Sequence, residues 1–265
     1  MALRAPLLPE HLASARDGLR RGGLLAGGHH HDERGAGEEA GSHHAVVEST
    51  VASARSFAAP DAQPLAALRE ATVILDDRAV LRRIDLELAA GITVLRGPNG
   101  SGKTTALRAL AGLVPLARGS RDVPPDVLYL GHRPQLLHGL TARENLRFFR
   151  DFRGGGGREA RIATALDRWG LHADADRPVE RMSAGQRRRA ALARLDTEPC
   201  TVVLLDEPFA ELDVAAAELL LRALREAPPT AAILVATHGH AEVDALAARL
   251  FEVGDGKVTP ARQRP

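Results

Sequence analysis

The chain has 265 residues, with 35 Lys and Arg against 34 Asp and Glu, so its formal net charge is +1. This balance gives no basis for a broad nucleic-acid-binding surface, and we expect no nucleic-acid partner. A single cysteine, Cys200, excludes an internal disulfide, and no run approaches the roughly 18–20 apolar residues of a membrane-spanning helix.

Residues 1–67 differ in composition from the rest of the chain, being rich in Ala, Gly, Ser and His with Phe57 as their one aromatic residue. They show neither strand nor helix periodicity and bury too little apolar surface to offset chain entropy. We predict a disordered low-complexity extension over 1–67, a folded domain over 68–258 and a C-terminal tail over 259–265. The histidines of the extension could bind a metal, but nothing there fixes ligand geometry.

From residue 68 onwards, strand patterns alternate with helix patterns. Strands are predicted over residues 71–77, 82–88, 91–97, 126–131, 201–208 and 231–238. Helices are predicted over residues 103–113, 141–152, 158–171, 183–195, 214–227 and 241–250, and a hairpin over 250–260 turns at Asp255-Gly256. Alternating strands and helices predict an α/β domain with a mostly parallel sheet that is covered on both faces.

The stretch from Gly97 to Thr104 fits the phosphate-binding pattern G-x-x-x-x-G-K-[ST], between a predicted strand and a predicted helix. Glycines let backbone N–H groups approach the phosphates, and the start of the helix presents its positive end to them. Lys103 would reach the β- and γ-phosphates, and Thr104 would ligate Mg²⁺. The predicted ATP-binding residues here are Gly97, Pro98, Asn99, Gly100, Ser101, Gly102, Lys103, Thr104 and Thr105.

A second motif is the apolar strand that runs into Asp206 and Glu207. A strand-terminal Asp beside such a loop holds Mg²⁺ in P-loop enzymes, so Asp206 is a predicted metal ligand. We predict that Glu207 acts as a base on the attacking water or orients it.

The segment Met182-Ser183-Ala184-Gly185-Gln186 resembles the signature of the ABC-type ATPases, usually written LSGGQ. This resemblance implies ATP and Mg²⁺ as cofactors and a head-to-tail homodimer in which each signature caps the ATP of the other subunit. Ser183, Ala184, Gly185 and Gln186 are then nucleotide-binding residues. His238 occupies the position of the family's switch histidine, which makes it catalytic together with Glu207 and Lys103, and Asp213 ends the loop that crosses the dimer interface.

The resemblance covers about residues 70 to 258. It implies a P-loop NTPase fold of ABC type, with a mostly parallel sheet core, an antiparallel edge and a helical signature subdomain over about 132–195. It also implies separate membrane-spanning permease subunits that hold the ATPase at the cytoplasmic face of the cell membrane.

The chain departs from the family pattern at three places. Leu75 stands where an aromatic residue normally stacks on adenine. The glutamine that reaches the Mg²⁺ region is replaced by His132, or is displaced to Gln135, and the sequence does not choose between them. Ala184 replaces the first glycine of the signature pair.

Several short features are similar to one branch, the ATP-binding subunit of the haem exporter in cytochrome c maturation. They are Gly131-His132, the signature Ser183 to Gln186, and Ala191 to Leu195, although Arg133 replaces the usual Gln after His132. A transport motor for another cargo is the alternative. A soluble ABC ATPase of translation or DNA maintenance fits less well, because the chain has one P-loop and no sustained heptads.

Overall fold

The computed structural model describes residues 63–156 and 159–261. The extension predicted over residues 1–67 therefore lies almost wholly outside the described residues, and so does most of the predicted tail. The strands of the described chain are β1 (Ala66–Leu75), β2 (Arg78–Leu88), β3 (Gly91–Arg96), β4 (Arg118–Asp122), β5 (Val127–Leu130), β6 (Val202–Asp206), β7 (Ala232–Thr237), β8 (Arg249–Gly254) and β9 (Lys257–Pro260). The α-helices are α1 (Lys103–Leu110), α2 (Ala142–Phe152), α3 (Glu159–Arg168), α4 (Ala184–Leu192), α5 (Arg194–Thr197), α6 (Val214–Arg225) and α7 (Ala241–Asp244).

The main sheet has the strand order β5-β6-β7-β3-β8-β9. All neighbours pair in parallel except β8 and β9, which form an antiparallel hairpin at one edge. The predicted α/β class, the mostly parallel sheet and the antiparallel edge are therefore confirmed. The strands β6, β7 and β3 lie side by side, so their carboxyl ends meet along one edge of the sheet, where α/β proteins bind ligands.

A second, antiparallel sheet has the order β2-β1-β4. Its outer strand β4 was not predicted from the sequence, because all five of its residues are exposed and it lacks the apolar alternation of a half-buried strand. It is held to β1 by backbone pairing, for example of Leu68 with Arg121.

Two apolar cores cover the two faces of the main sheet. Neighbouring residues of β3 point to opposite faces, so that Val94 belongs to the core shared with the helical region and Leu95 to the core shared with α1 and the second sheet. Both side chains are fully buried. Burial on both faces explains why β3 reads as a continuous apolar run.

The helical region predicted over about 132–195 contains α2 to α5, and its last helix ends at Thr197. Helix α2 begins with a capping box, in which Thr141 and Glu144 bond reciprocally to each other's backbone N–H. The indole of Trp169 is fully buried and donates to the carboxylate of Asp196 over 2.7 Å. No helix among residues 63–156 and 159–261 has both the length and the apolar character needed to cross a membrane.

The structure differs from the sequence-based boundaries at both ends of the domain. Strand β1 begins at Ala66, and β9 continues to Pro260 because it pairs with Phe251 of β8. The helix predicted over 241–250 is wrong beyond its first turn, because Arg249 and Leu250 pair with β3 instead. The predicted hairpin turn is confirmed at Asp255 and Gly256, both with positive φ.

Candidate nucleotide site

The phosphate-binding loop lies between Arg96, the last residue of β3, and Lys103, the first of α1. It needs glycine for two different reasons. A Cβ at Gly97 would stand 2.5 Å from the backbone oxygen of Val253, too close for any side chain. Gly102 has φ 109°, in the left-handed region that favours glycine. The Ser101 N–H donates to the backbone oxygen of Pro98 over 3.2 Å, and the other N–H groups of the loop are suited to a bound anion.

Two side chains of this loop fit a bound phosphate. The hydroxyl oxygen of Ser101 is buried and has no hydrogen-bond partner within the described chain. Lys103 is 5% exposed, and its ammonium donates to the backbone oxygens of Gly97 over 2.7 Å and of Pro98 over 3.2 Å. A buried hydroxyl without a partner and a buried cation at a helix start are both suited to phosphate oxygens.

Two of the predicted metal ligands, Thr104 and Asp206, are in direct contact. The hydroxyl of Thr104 donates to Oδ1 of Asp206 over 3.0 Å, and Asp206 is buried at the end of β6. The hydroxyl of Tyr129 lies 3.3 Å from Oδ2 of the same carboxylate, and burial raises the Tyr129 pKa, so this hydroxyl stays protonated and donates. An oxygen pair of this kind fits Mg²⁺, which takes few protein ligands and completes its shell with water and phosphate.

No group of three or more His, Cys, Asp or Glu residues in the described ranges could hold a metal by itself.

The three predicted catalytic side chains lie together at the carboxyl edge of the main sheet. Oε1 of Glu207 is buried, accepts no hydrogen bond within the described chain, and lies 3.4 Å from Nζ of Lys103. Oε2 lies 3.0 Å from Nδ1 of His238, which follows β7. Glu207 has φ 46°, a strained conformation for a residue with a Cβ. Strain of this kind persists where the surroundings hold the backbone, as they do at many functional sites.

The signature segment forms a second potential phosphate site at the start of α4. Ser183 is the N-cap: its Oγ accepts from the Gln186 N–H over 3.1 Å, and its N–H donates to the Gln186 side chain over 2.8 Å. Ser183 and Ala184 are exposed, and Gly185 is half-buried. No hydrogen bond or ion pair in the described part of the chain joins residues 183–186 to residues 97–105. Within one subunit the two predicted nucleotide-binding segments are therefore not brought together.

The other predicted site residues lie outside the contacts described above. Asp213 is the N-cap of α6 and accepts from the Ala216 N–H over 2.8 Å. His132 and Gln135 are both exposed, and neither side chain contacts Asp206 or Glu207, so both stay candidates. Leu75 is 37% exposed at the end of β1.

Two residues of the site were missed in the sequence. Tyr129, which contacts Asp206, reads only as a residue of an apolar strand. Arg188 reads as part of a solvated basic helix, yet it is 1% exposed and donates to the backbone of Asp206 and Glu207. Its spacing from the buried Ala191 and Leu192 places it on the buried face of α4, and this signal could have identified it.

Known proteins are similar to this chain in sequence. The ABC transporter family model matches residues 81–210. The chain is 41% identical over 178 residues to the cytochrome c biogenesis ATP-binding export protein CcmA of Paracoccus denitrificans, covering 66% of this chain and 82% of the relative. It is 39% identical over 199 residues to the protein of that name from Rhodobacter capsulatus, covering 74% and 90%.

Solved structures are similar at the level of the fold. The ATP-binding subunit of an ABC transporter superposes with a TM-score of 0.67 at 23% identity, covering 74% of this chain and 89% of that one. A dimeric ATP-binding cassette in a post-hydrolysis state, bound to ADP and Pi, gives a TM-score of 0.67 at 22% identity, with coverages of 76% and 99%.

Proposed function

The chain belongs to the ABC transporter family, in the branch of the cytochrome c biogenesis ATP-binding export proteins, and on that premise we propose that it is the ATP-hydrolysing motor of a haem exporter. The observation that carries the catalytic part is the position of the Glu207 carboxylate between Lys103 and His238. Haem is proposed as the cargo because the chain is similar in sequence to this branch and shares its Gly131-His132 and Ser183 to Gln186 features.

Binding of ATP requires a cradle for three phosphates. The N–H groups of the loop from Gly97 to Gly102 and the start of α1 bind the phosphate oxygens, and Lys103 moves its N–H donors from loop carbonyls to the γ-phosphate. Thr104 and Asp206 would hold Mg²⁺, which when bound offsets charge on the β- and γ-phosphates. Leu75 offers an aliphatic surface to the base in place of an aromatic ring.

Hydrolysis needs a positioned water and charge stabilisation more than covalent chemistry. The Glu207 carboxylate accepts a hydrogen bond from the water that attacks the γ-phosphorus, and it takes the proton as the new P–O bond forms. The bond from the γ-phosphorus to the bridging oxygen breaks in the same step, and ADP leaves. His238, bonded to Oε2 of Glu207, holds that carboxylate and reaches the γ-phosphate as a donor. Lys103 stabilises the negative charge of the transition state.

The signature supports a dimeric motor. Ser183 and the N–H groups at the start of α4 form an exposed set of donors with no contact to the P-loop of their own subunit, so a second copy is needed to bring both to one ATP. We place Asp213 at that interface. Closure of the dimer on two ATP molecules would drive separate membrane-spanning permease subunits, which would hold the motor at the cytoplasmic face of the membrane.

The export role is tested in cells of the source organism. Deletion of the gene should abolish covalent haem in all c-type cytochromes, seen by haem staining of denatured proteins, while b-type cytochromes stay at wild-type levels. The wild-type gene should restore the staining and a Glu207→Gln gene should not. Normal c-type cytochromes in the deletion strain would assign the motor to another cargo.

A further inference from the structure

The guanidinium of Arg188 connects three segments of the site. Arg188 lies in the middle of α4 and is 1% exposed. Its Nη1 donates to the backbone oxygens of Gly131 over 2.7 Å and of His132 over 3.1 Å. Its Nη2 donates to the backbone oxygens of Asp206 over 3.3 Å and of Glu207 over 2.8 Å. Its Nε donates to the backbone oxygen of Pro208 over 3.3 Å.

This arrangement uses every donor that the side chain has. A guanidinium carries five N–H groups in a planar fork, and here each has its own carbonyl acceptor. Burial lowers the pKa of Arg188, which reflects the cost of removing this cation from water. Five peptide dipoles offset that cost. An apolar side chain could hold α4 against the sheet without this desolvation cost. We therefore infer that the guanidinium of Arg188 fixes the positions of the backbone carbonyls to which it donates.

Arg188 helps to fix the backbone conformation of Glu207. The N–H of Glu207 donates to the backbone oxygen of Ala236 in β7 over 2.9 Å, and its carbonyl accepts from Arg188 over 2.8 Å. The peptide groups on both sides of the strained φ of 46° are thus fixed. Because the side-chain direction follows from the backbone, these two bonds aim the carboxylate at Lys103 and His238.

The other end of the same fork holds the segment that follows β5. Gly131 and His132 enter the loop that leads into α2, and the guanidinium of Arg188 joins both of their carbonyls to α4. A displacement of α4 relative to the main sheet would therefore move the 131–132 segment and the Glu207 backbone together.

We propose that Arg188 is a positioning residue for ATP hydrolysis, which links the start of signature helix α4 to the aim of the Glu207 carboxylate. The proposal rests on the hydrolytic role proposed for Glu207 above. The expected effect is on hydrolysis and not on binding: loss of Arg188 lowers the hydrolysis rate and leaves ATP affinity unchanged. The reason is that no hydrogen bond or ion pair among the described residues joins Arg188 to the P-loop.

The variants are Arg188→Met, which has similar reach without donors, and Arg188→Lys, which keeps the charge but presents three donors from a single nitrogen. The matched control is Arg189→Met, the next residue of α4, which donates only to the backbone oxygens of Trp169 over 3.3 Å and Gly170 over 3.4 Å. Purified full-length proteins are compared for melting temperature, binding of a fluorescent ATP analogue and steady-state phosphate release.

Misplacement of a catalytic group by about 1 Å costs about 100-fold in rate, so we expect kcat to fall by that order in both Arg188 variants with KM for ATP within about threefold. Arg189→Met should keep wild-type kcat. Should Arg188→Met fail to fold, Arg188→Lys carries the test alone. Wild-type kcat in a folded Arg188 variant, or an equal loss in Arg189→Met, overturns the proposal.

A double-mutant comparison separates this proposal from the one on which it rests. Single-turnover hydrolysis is measured for Glu207→Gln with and without Arg188→Lys. If Arg188 acts through Glu207, the second change adds less than about twofold, since residues that act as one unit are non-additive. A full additional loss overturns the positioning role. Unreduced hydrolysis in Glu207→Gln alone would instead overturn the role of Glu207.

Discussion

The ammonium of Lys103 lies 3.4 Å from Oε1 of Glu207, although the two residues are far apart in the sequence. The strand order explains the contact. Glu207 follows β6, His238 follows β7 and the P-loop follows β3, and these three strands are neighbours in the sheet. Parallel strand pairing therefore brings the Lys103, Glu207 and His238 side chains to one edge of the sheet, where the carboxyl ends of the strands meet.

Dimerisation should depend on ATP. Glu207→Gln protein, which is expected to retain ATP, should shift from monomer to dimer in light scattering when ATP is added. An added Ser183→Arg change should prevent the shift, because a long cation at the start of α4 would block the donors that face the γ-phosphate of the partner's ATP.

Ser183→Thr is the matched control, because threonine keeps the N-cap hydroxyl that accepts from Gln186. It should still dimerise. A persistent dimer with Ser183→Arg would contradict the head-to-tail arrangement.

The exposed end of α2 is the predicted contact with the permease. Phe152 is 79% exposed and Phe148 is 45% exposed, and their rings stack at 6.1 Å. Phe149 does not belong to this exposed pair, because its ring lies under the guanidinium of Arg194 at 3.7 Å. The double change Phe148→Ser and Phe152→Ser should weaken co-purification with a membrane subunit. Basal ATPase activity should stay within about threefold, as expected for surface changes.

Leu113→Ser, at a residue that is 58% exposed in another part of the domain, is the control and should keep the partner. A charge reversal at Arg143 is a poorer probe, because Arg143 is half-buried and bonds Asp176 through both Nε and Nη2. Undiminished co-purification of the double Phe variant would place the contact elsewhere.

Cys200 should be unreactive in the folded protein. Burial raises the pKa of its thiol to about 11, and the thiolate is the reactive form. At pH 8 we expect alkylation by iodoacetamide to be on the order of 100-fold slower in the native protein than in urea, from the difference in thiolate fraction. Equal rates, followed by mass spectrometry, would show that the thiol is open to solvent and ionises normally.

Removal of residues 1–60 should leave the ATPase intact, because their composition predicts no packed structure. We expect steady-state activity at the wild-type level and a melting temperature within about 2 °C, which corresponds to less than about 1 kcal/mol for a domain of this size. A deletion of residues 1–70 is the contrast: it removes the fully buried Leu68 of β1 and should unfold the domain. A collapsed transition after the shorter deletion would contradict the domain boundary.

Features that depend on neighbouring residues in the chain could be predicted from the sequence, and features that depend on partners distant in the chain could not. The P-loop, the Asp206-Glu207 pair and the strands that carry them were predicted because apolar runs and fixed spacings mark them. Strand β4 was missed because its side chains are all exposed, and the helix over 241–250 was overextended because pairing with β3 outweighs helical periodicity. The burial of Arg188 could have been predicted from its spacing to Ala191 and Leu192, but its partners could not, because they are backbone carbonyls distant in the chain.

The proposed function depends above all on Glu207, which acts on the attacking water while the rest of the site binds ATP. The sharpest experiment is steady-state phosphate release by Glu207→Gln protein, measured beside the affinity of that protein for a fluorescent ATP analogue. We expect a loss of turnover of about 10²–10⁴-fold, the range for a general base, with nucleotide affinity retained. Turnover within about twofold of wild type in a variant that binds ATP normally would contradict it.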